Sequence, residues 1–552
     1  MRSQRILSVC MLPITVIAAT CTDSSSKALP IVDLDYAVHQ ASFDSTNSLY
    51  EFNNIRYAEP PLKTRRFRHP IAPATVNRTV NDGSYGFACK QGLPRAKVVE
   101  LSLPGEDVIT ARDRLIQSPL WNEDCLFLNV VVPKAVFPSQ QCTARQPRAT
   151  NKAKGSPVIV WIHGGGSSWG SKDDKEFTPS GLIERSKTSE SDGVIFVALN
   201  YRLGLFGFLN SHGDDRVDAN SGLLDQRQAI EWVRKHIHLF GGDPDNITVH
   251  GQSAGAASIM YHITSPKGVN FKNAILQSPT APSLKVEDTW TDSLKLASNI
   301  TGKTITNGKD LAQLSEQELA EVNGLATFNG PGLFYWGPSP DGAYVPDWPN
   351  NRLRDGKFKK SPSLSLIAGH TANESIAYIP NLPVAVDIAL NTLLQPITNM
   401  TTKSYILETL YPPSEKTDIY STAYERVLLL SAEATGFNCN PQLLSTIFKT
   451  WNYRFDVPPG YHFQDLNHTF YDGNKQGPVS PPAALAMQTY FGQFATTANP
   501  NTKENGLLDW PKADSERHMV KFVPTGVELG KEVDNAKRCL FWDDLRRGKF
   551  EN

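Results

Sequence analysis

The sequence has little of what marks nucleic-acid-binding or membrane-spanning proteins. Its 55 Lys and Arg residues nearly balance 56 Asp and Glu residues, which gives a formal net charge of −1. Because a nucleic-acid-binding surface needs a clustered basic excess, we expect no nucleic acid partner. Beyond the N-terminus, no run approaches the ~20 apolar residues of a membrane span, so we expect no stable membrane insertion.

Metal and phosphate motifs are also missing from the sequence. The 12 histidines are scattered, without H-E-x-x-H or C-x-x-C spacing, and no phosphate-binding glycine loop is evident. We therefore expect neither a metal nor another cofactor. The composition is that of an ordinary globular protein, 40% apolar and 20% charged, without a repeat, heptad or long linker. It predicts one compact unit.

The first 21 residues have the layout of a secretory signal peptide. Arg2 and Arg5 precede an apolar run from Ile6 to Ala19, and small residues follow. The run is too short to span a bilayer, and an uncleaved anchor is the alternative. We expect a signal peptide at residues 1–21, a secreted protein, and a single domain at residues 22–552.

Only seven cysteines are present, and Cys10 and Cys21 lie in or beside the leader. The five that remain are Cys89, Cys125, Cys142, Cys439 and Cys539. Five is an odd number, so at least one thiol is free or pairs outside the chain. Six Asn-x-Ser/Thr sequons predict a glycoprotein; they begin at Asn77, Asn246, Asn299, Asn373, Asn399 and Asn467.

Strand and helix patterns alternate in the first half of the chain. Val158–His163 and Val194–Asn200 are short, apolar, β-branched runs typical of strands buried on both faces. Apolar residues at three- and four-residue spacing predict a helix between Leu223 and Phe240, and Ile247–His250 reads as the next strand. The pattern predicts an α/β fold with a doubly wound, mostly parallel sheet and helices on both faces.

A serine flanked by glycines follows the last of these strands. Gly251-Gln252-Ser253-Ala254-Gly255 lies between this strand and a helical stretch, Ala256–Ile263. In a G-x-S-x-G elbow the turn is so tight that glycine is needed on both sides, and the serine hydroxyl is raised above the sheet edge. This setting predicts Ser253 as a nucleophile; an exposed linker serine is the alternative.

A second glycine-rich turn, His163-Gly164-Gly165-Gly166, follows the strand that begins at Val158. Three glycines allow the backbone to approach a carbonyl oxygen and to direct N–H groups at it. We predict an oxyanion hole formed by the amides of Gly165, Gly166 and Ala254. A flexible loop without such a role is the alternative.

Five motifs in order resemble the type-B carboxylesterase/lipase family, which includes cholinesterases and fungal secreted lipases. They are EDCLFLNV from Glu123, WIHGGG from Trp161, NYRLGLFGF from Asn200, GLLDQRQAIEWV from Gly222 and GGDPDNITVHGQSAGA from Gly241. The C-terminal half resembles the family only in patches. The resemblance implies one α/β-hydrolase catalytic domain with large C-terminal insertions, an ester substrate, and a Cys89–Cys125 disulfide.

The family order of nucleophile, acid and base points to a carboxylate after the elbow. Glu374 follows a predicted strand, Ser363–Ala368, and matches the family's acid. Asp341 is the runner-up, although it precedes that strand and reads as a turn residue. If Glu374 is buried, glycosylation at Asn373 is not expected.

The resemblance assigns the base to His462, because Asp465 and Phe470 match the family's H-G-x-D/E-x-x-Y-x-F pattern in that register. Phe463 replaces the usual glycine. His468 is the alternative base.

These residues predict serine-dependent hydrolysis of small to medium or lipophilic carboxylic esters. The alternatives are an interfacially activated triacylglycerol lipase and a non-catalytic binding protein on the same fold. Gln252 stands where cholinesterases carry glutamate, so choline esters are disfavoured as substrates.

Overall fold

The computed structural model describes residues 29–138, 155–189, 191–211, 213–281, 289–330, 335–394, 396–474, 477–501, 506–532 and 536–549. The expected signal peptide and Cys142 lie outside these residues. In no described helix is there a stretch long and apolar enough to cross a membrane.

The strands of the described residues, numbered in chain order, are β1 Ile31–Asp33, β2 Ala37–Gln40, β3 Ser42–Asp44, β4 Leu49–Arg56, β5 Asn77–Asn81, β6 Ala88–Cys89, β7 Trp121–Asn122, β8 Phe127–Pro133, β9 Ser156–Ile162, β10 Ile195–Leu199, β11 Gly242–Gln252, β12 Asn273–Gln277, β13 Ser365–Thr371, β14 Trp451–Phe455, β15 His518–Val523 and β16 Gly526–Lys531.

The α-helices are α1 Arg95–Glu100, α2 Val108–Ile116, α3 Ser180–Arg185, α4 Gly204–Phe208, α5 Ser221–His236, α6 Ala254–Thr264, α7 Thr289–Thr301, α8 Gly308–Ala312, α9 Glu316–Asn329, α10 Pro349–Arg354, α11 Pro383–Leu394, α12 Met400–Tyr405, α13 Ala423–Ala434, α14 Cys439–Phe448, α15 Gln464–Thr469, α16 Pro481–Thr497 and α17 Ala536–Arg546. Shorter 3₁₀ turns include Ile237–Phe240 and Glu374–Ala377, and Ile406–Leu410 is a π-turn.

Eleven strands form the central sheet in the order β16-β15-β14-β13-β12-β11-β9-β10-β8-β4-β3. The seven strands from β15 to β10 are joined by parallel pairings, and antiparallel strands extend both edges. The prediction of a doubly wound, mostly parallel sheet is confirmed.

Both faces of the sheet are buried, as the apolar strand sequences predict. Along β9, Val158, Val160 and Ile162 pack into one hydrophobic core, whereas Ile159 and Trp161 pack into a core on the opposite face. Residues of α5 and α6 complete the first core, and residues of α3 and α16 complete the second. Since side chains alternate along a strand, one apolar run serves both cores.

Large insertions follow the elbow, as the resemblance implies. Helices α7 to α10 lie between β12 and β13, and α11 to α14 lie between β13 and β14. A disulfide between Cys439 and Cys539 ties α14 to the C-terminal helix α17. A second disulfide, Cys89–Cys125, closes the segment that carries α1 and α2, which we call the flap.

The parallel strands bring the candidate site together. The glycine turn follows β9, Ser253 follows β11, Glu374 lies just beyond β13, and His462 lies beyond β14. Because the carboxyl ends of parallel strands share one edge of a sheet, residues more than 200 positions apart converge there.

Candidate active site

Ser253 occupies a strained turn between β11 and α6. Its backbone angles are φ 56° and ψ −125°, a conformation that non-glycine residues rarely adopt. A Cβ on Gly255 would lie 2.1 Å from the carbonyl oxygen of Ile162, and one on Gly251 would lie 2.6 Å from the Gly255 carbonyl carbon. Only glycine fits at these two positions, as the elbow interpretation requires.

The structure brings Glu374 and His462 into direct contact. The Nδ1 atom of His462 lies 2.5 Å from Glu374 Oε2, and both side chains are fully buried. The other carboxylate oxygen, Oε1, accepts hydrogen bonds from the Ser278 hydroxyl at 2.6 Å and the Thr371 amide at 2.7 Å. Every oxygen of this buried carboxylate therefore has a partner.

The electrostatics favour an ionised Glu374. Burial raises the pKa of this carboxyl, but the charge and hydrogen bond of His462, with those of Ser278 and the Thr371 amide, outweigh it and leave the pKa below its usual value. A carboxylate must accept its hydrogen bond, so His462 donates from Nδ1, and whenever the ring is neutral its lone pair is on Nε2.

The Nε2 atom of His462 faces the elbow. It contacts the side-chain amide of Gln252, whose nitrogen lies 3.1 Å away. In the described part of the chain, the Ser253 hydroxyl makes no hydrogen bond to His462. Hydrogen bonds in an active site without substrate are often loose and tighten in the complex.

The two alternative residues have other roles. His468 contacts the Gln464 carbonyl through Nδ1 and accepts the Ser480 amide at Nε2, so both ring nitrogens are used by the backbone. Asp341 accepts the amides of Ala343 and Val345 within its own turn. His468 therefore lacks the carboxylate partner expected of a catalytic base, and Asp341 lacks the imidazole partner expected of the acid.

Aromatic rings enclose His462. The ring centroids of Phe437 and Phe463 lie 4.3 and 4.2 Å from that of the imidazole, and that of Tyr378 lies at 5.6 Å. Phe463 adopts φ 78°, a left-handed conformation that explains why glycine is usual at this position. The sequence pointed to Phe463 only as a departure from the family, and it contained no local signal for Phe437 or Tyr378.

The glycine turn after β9 curls back on itself. The amides of Ser168 and Trp169 both donate to the Gly165 carbonyl at 3.0 Å, while Gly165 and Gly166 have φ values of 96° and 59°. Among the described residues, the amides of Gly165, Gly166 and Ala254 have no protein acceptor. These three donors are thus available to a bound oxyanion.

A second buried carboxyl, Asp465 of α15, lies close enough to Glu374 and His462 to interact electrostatically with both. Its Oδ2 accepts the Tyr453 hydroxyl at 2.8 Å and the Gln277 amide at 2.9 Å, whereas Oδ1 has no hydrogen bond in the described structure. Burial, and then the charge of Glu374, raises the pKa of Asp465 to about 6. Among the described residues, no cluster of three His, Cys, Asp or Glu side chains could hold a metal.

Comparison with known proteins identifies the architecture. The carboxylesterase family model matches residues 39–446. The chain belongs to the carboxylesterase family. This carboxylesterase is 34% identical to carboxylesterase patB of Aspergillus clavatus, over 94% of the chain and 96% of that relative.

Two further relatives of the carboxylesterase are informative. EstA of Aspergillus niger has a solved structure that matches with a TM-score of 0.74 and 25% identity, covering 94% of this chain and 98% of that one. The inactive carboxylesterase-like protein VdtD of Byssochlamys spectabilis is 32% identical, over 84% of this chain and 83% of VdtD. The fold is that of the α/β-hydrolases, and the protein is a serine carboxylic ester hydrolase.

The pKa of Asp465 predicts a pH-dependent stability. Because the folded-state pKa of about 6 lies above the ordinary value of 3.8, stability due to this carboxyl is full below that ordinary value and is lost as pH rises through about 6. The loss amounts to up to about 3 kcal/mol. The Asp465→Asn variant should therefore gain thermal stability relative to the parent between pH 4.5 and pH 8, as measured by unfolding midpoints.

The exposed Asp472 provides a control, since Asp472→Asn changes a side chain that lies in solvent and should alter the unfolding midpoint little at either pH. The prediction would be contradicted if the unfolding midpoint of Asp465→Asn differed from that of the parent by the same amount at pH 4.5 and pH 8.

Proposed function

We propose that this carboxylesterase hydrolyses small to medium or lipophilic carboxylic esters through a covalent acyl-enzyme on Ser253. His462 is the general base, and Glu374 orients it. The observation that supports the proposal most strongly is the fully buried contact between Glu374 and His462 Nδ1, which leaves Nε2 facing the strained serine turn.

Acylation begins when the Ser253 oxygen bonds to the acyl carbon while His462 Nε2 takes the hydroxyl proton. The negative charge on the former carbonyl oxygen is held by the amides of Gly165, Gly166 and Ala254. The bond to the alkoxy oxygen then breaks, and His462 returns the proton to the leaving alcohol. Water, deprotonated by the same imidazole, attacks the acyl carbon. The bond to the Ser253 oxygen then breaks, His462 returns the proton to that oxygen, and the acid is released.

The Glu374 carboxylate acts in both halves of this cycle. While the imidazole is neutral, it fixes the tautomer that has its lone pair on Nε2. When the imidazole is protonated, the carboxylate stabilises the positive charge across the 2.5 Å contact. The aromatic rings around His462 exclude water, which strengthens this interaction.

We further propose that residues 1–21 direct secretion and that residues 22–552 form one catalytic domain. Two buried disulfides in the described chain support an oxidising destination.

The sequons at Asn77 and Asn299 have exposed asparagines and are the expected glycan positions. At Asn246 and Asn467 the sequon threonine is buried, which disfavours modification.

A fluorophosphonate probe with a short-chain p-nitrophenyl ester tests the proposed triad. We expect the probe to label Ser253, as located by peptide mass spectrometry, and Ser253→Ala to lose labelling and at least about 10⁴-fold in kcat. Glu374→Gln should lower kcat about a thousandfold or more, because the neutral amide no longer fixes the tautomer.

The runner-up acid supplies the matched control: Asp341→Asn should keep most of its activity. An unlabelled parent without esterase activity would instead place this chain with a non-catalytic protein, the property that the name of VdtD describes. Equal losses of kcat in Glu374→Gln and Asp341→Asn would contradict the assignment of Glu374 as the acid of the triad.

The charge of the site predicts discrimination between isosteric esters. Gln252 contributes no negative charge beside His462, so a cationic alcohol group gains no electrostatic attraction there. We expect kcat/KM for 3,3-dimethylbutyl butyrate to exceed that for butyrylcholine by at least about tenfold, since the two differ mainly in charge. A preference for the choline ester would disprove this account of specificity.

A lipase acting at an oil surface is a second candidate, favoured by the outer face of the flap. Val99, Leu103 and Leu120 are 58%, 57% and 72% exposed, which is unusual for large apolar side chains. On its inner side, the flap packs Val98 and Ala111 against Phe328 and is held by the Cys89–Cys125 disulfide.

Because the inner side of the flap is packed, we expect no opening step at an interface. Activity on tributyrin should saturate below the solubility limit of this triglyceride and should not rise as droplets form. A marked rise above that limit, abolished when Leu103 and Leu120 are replaced by serine, would favour the lipase instead.

A further inference from the structure

Gln252, the last residue of β11, lies in the candidate active site but has no part in the acyl-transfer scheme. It is almost completely buried, and its side-chain nitrogen lies 3.1 Å from His462 Nε2. Its side-chain oxygen is also buried and has no hydrogen bond among the described residues. A buried amide oxygen without a partner is costly and calls for an explanation.

The side chain of Gln252 lies between the glycine turn and the imidazole. A Cβ at Gly164 would be 2.9 Å from Gln252 Oε1 and 3.1 Å from Ser253 Cβ, so this close approach needs glycine at position 164. The amide therefore lies on the same side of the imidazole as the atoms that react.

The contact has a defined direction in the resting enzyme. With Nδ1–H donated to Glu374, neutral His462 offers only a lone pair at Nε2, so the Gln252 amide must be the donor. Since Nε2 has a single lone pair, the amide must leave it before the Ser253 proton is transferred there. Once protonated, Nε2 is a donor, and the amide can contact it again only by presenting Oε1. A carboxylate in this position could only accept, and it would bind the protonated ring best.

We propose that Gln252 is a positioning residue that favours the neutral form of His462 between proton transfers. Because the Gln252 amide is uncharged, it does not stabilise protonated His462 as a glutamate would. Ester hydrolysis therefore stays active at lower pH than it would with glutamate at position 252. This inference rests on the proposed roles of Ser253, His462 and Glu374.

The other groups around His462 make this charge difference decisive. Glu374 from the turn after β13 and Asp465 from α15 are carboxyl groups that interact with the ring, and Tyr378 is a titratable neighbour. Phe437 and Phe463 are uncharged and exclude solvent. A third carboxylate, placed directly on Nε2, would act on the imidazolium with little screening.

The test compares the parent with Gln252→Glu and Gln252→Met by measuring kcat/KM for p-nitrophenyl butyrate from pH 4.5 to 9. Fluorophosphonate titration of active sites corrects each rate for the folded fraction. We expect the acid limb of the Gln252→Glu profile to move to higher pH by about one unit or more. On the acid side of the profile, a shift of one unit lowers kcat/KM about tenfold at a given pH when each profile is scaled to its own plateau.

The methionine variant has a similar volume but lacks both the donor and the charge. Its acid limb should move in the same direction by a smaller amount, because the neutral ring loses a hydrogen bond. The proposal would be overturned if the acid limb of both variants stayed at the parent's pH while kcat/KM fell by the same factor at every pH. Gln252 would then be a packing residue.

If Gln252→Glu fails to fold, Gln252→Met still decides whether the donor affects the acid limb. If Gln252→Met fails, Gln252→Glu still decides whether a negative charge beside Nε2 moves it. Failure of the proposed triad would look different. In that case the parent itself would not be labelled at Ser253, whatever the pH profiles of the variants show.

Discussion

The contact between Glu374 and His462 is the interaction on which the candidate site depends. It joins residues from two different insertions of the fold, and both side chains lie completely out of solvent. Burying such a pair without further partners would cost more than the attraction returns. Here the second carboxylate oxygen accepts from the Ser278 hydroxyl and the Thr371 amide, so the desolvation cost is offset locally.

The central sheet makes this contact possible. β13 and β14 are parallel neighbours, with Thr371 paired to Phe455, so the segments that follow them leave the same edge side by side. The backbone of His462 also donates to the Glu374 carbonyl at 3.2 Å. The register of two buried strands therefore brings the acid and the imidazole together, while α11 to α14 lie between them in the sequence.

The sequence was most informative where function imposes local backbone constraints. The elbow at Ser253 and the turn at Gly165 were predictable because close backbone approach leaves glycine as the only choice on either side. Element bounds were less accurate. β11 begins at Gly242, although Gly, Asp and Pro disfavour strands, because tertiary pairing with β9 overrides propensity there.

Contacts made across the chain could not be predicted from residue patterns. Phe437 and Tyr378 reach His462 from separate segments, and no spacing in the sequence marks them as neighbours. Glu374 and His462 themselves were predicted through family resemblance, since nothing local distinguishes His462 from His468. The structure separates the two histidines by their partners, which are a carboxylate for one and backbone groups for the other.

The site around His462 can stabilise only a limited number of negative charges, because few hydrogen-bond donors reach it. Glu374 is stabilised by several donors, but Asp465 has one oxygen without a hydrogen bond, and its pKa is raised to about 6. The region around His462 is therefore already short of donors for a second carboxylate. A third at position 252 would meet the same dry, aromatic surroundings, whereas an amide adds a donor without a charge. We therefore expect a carboxylate at position 252 to meet the same desolvation that raises the pKa of Asp465.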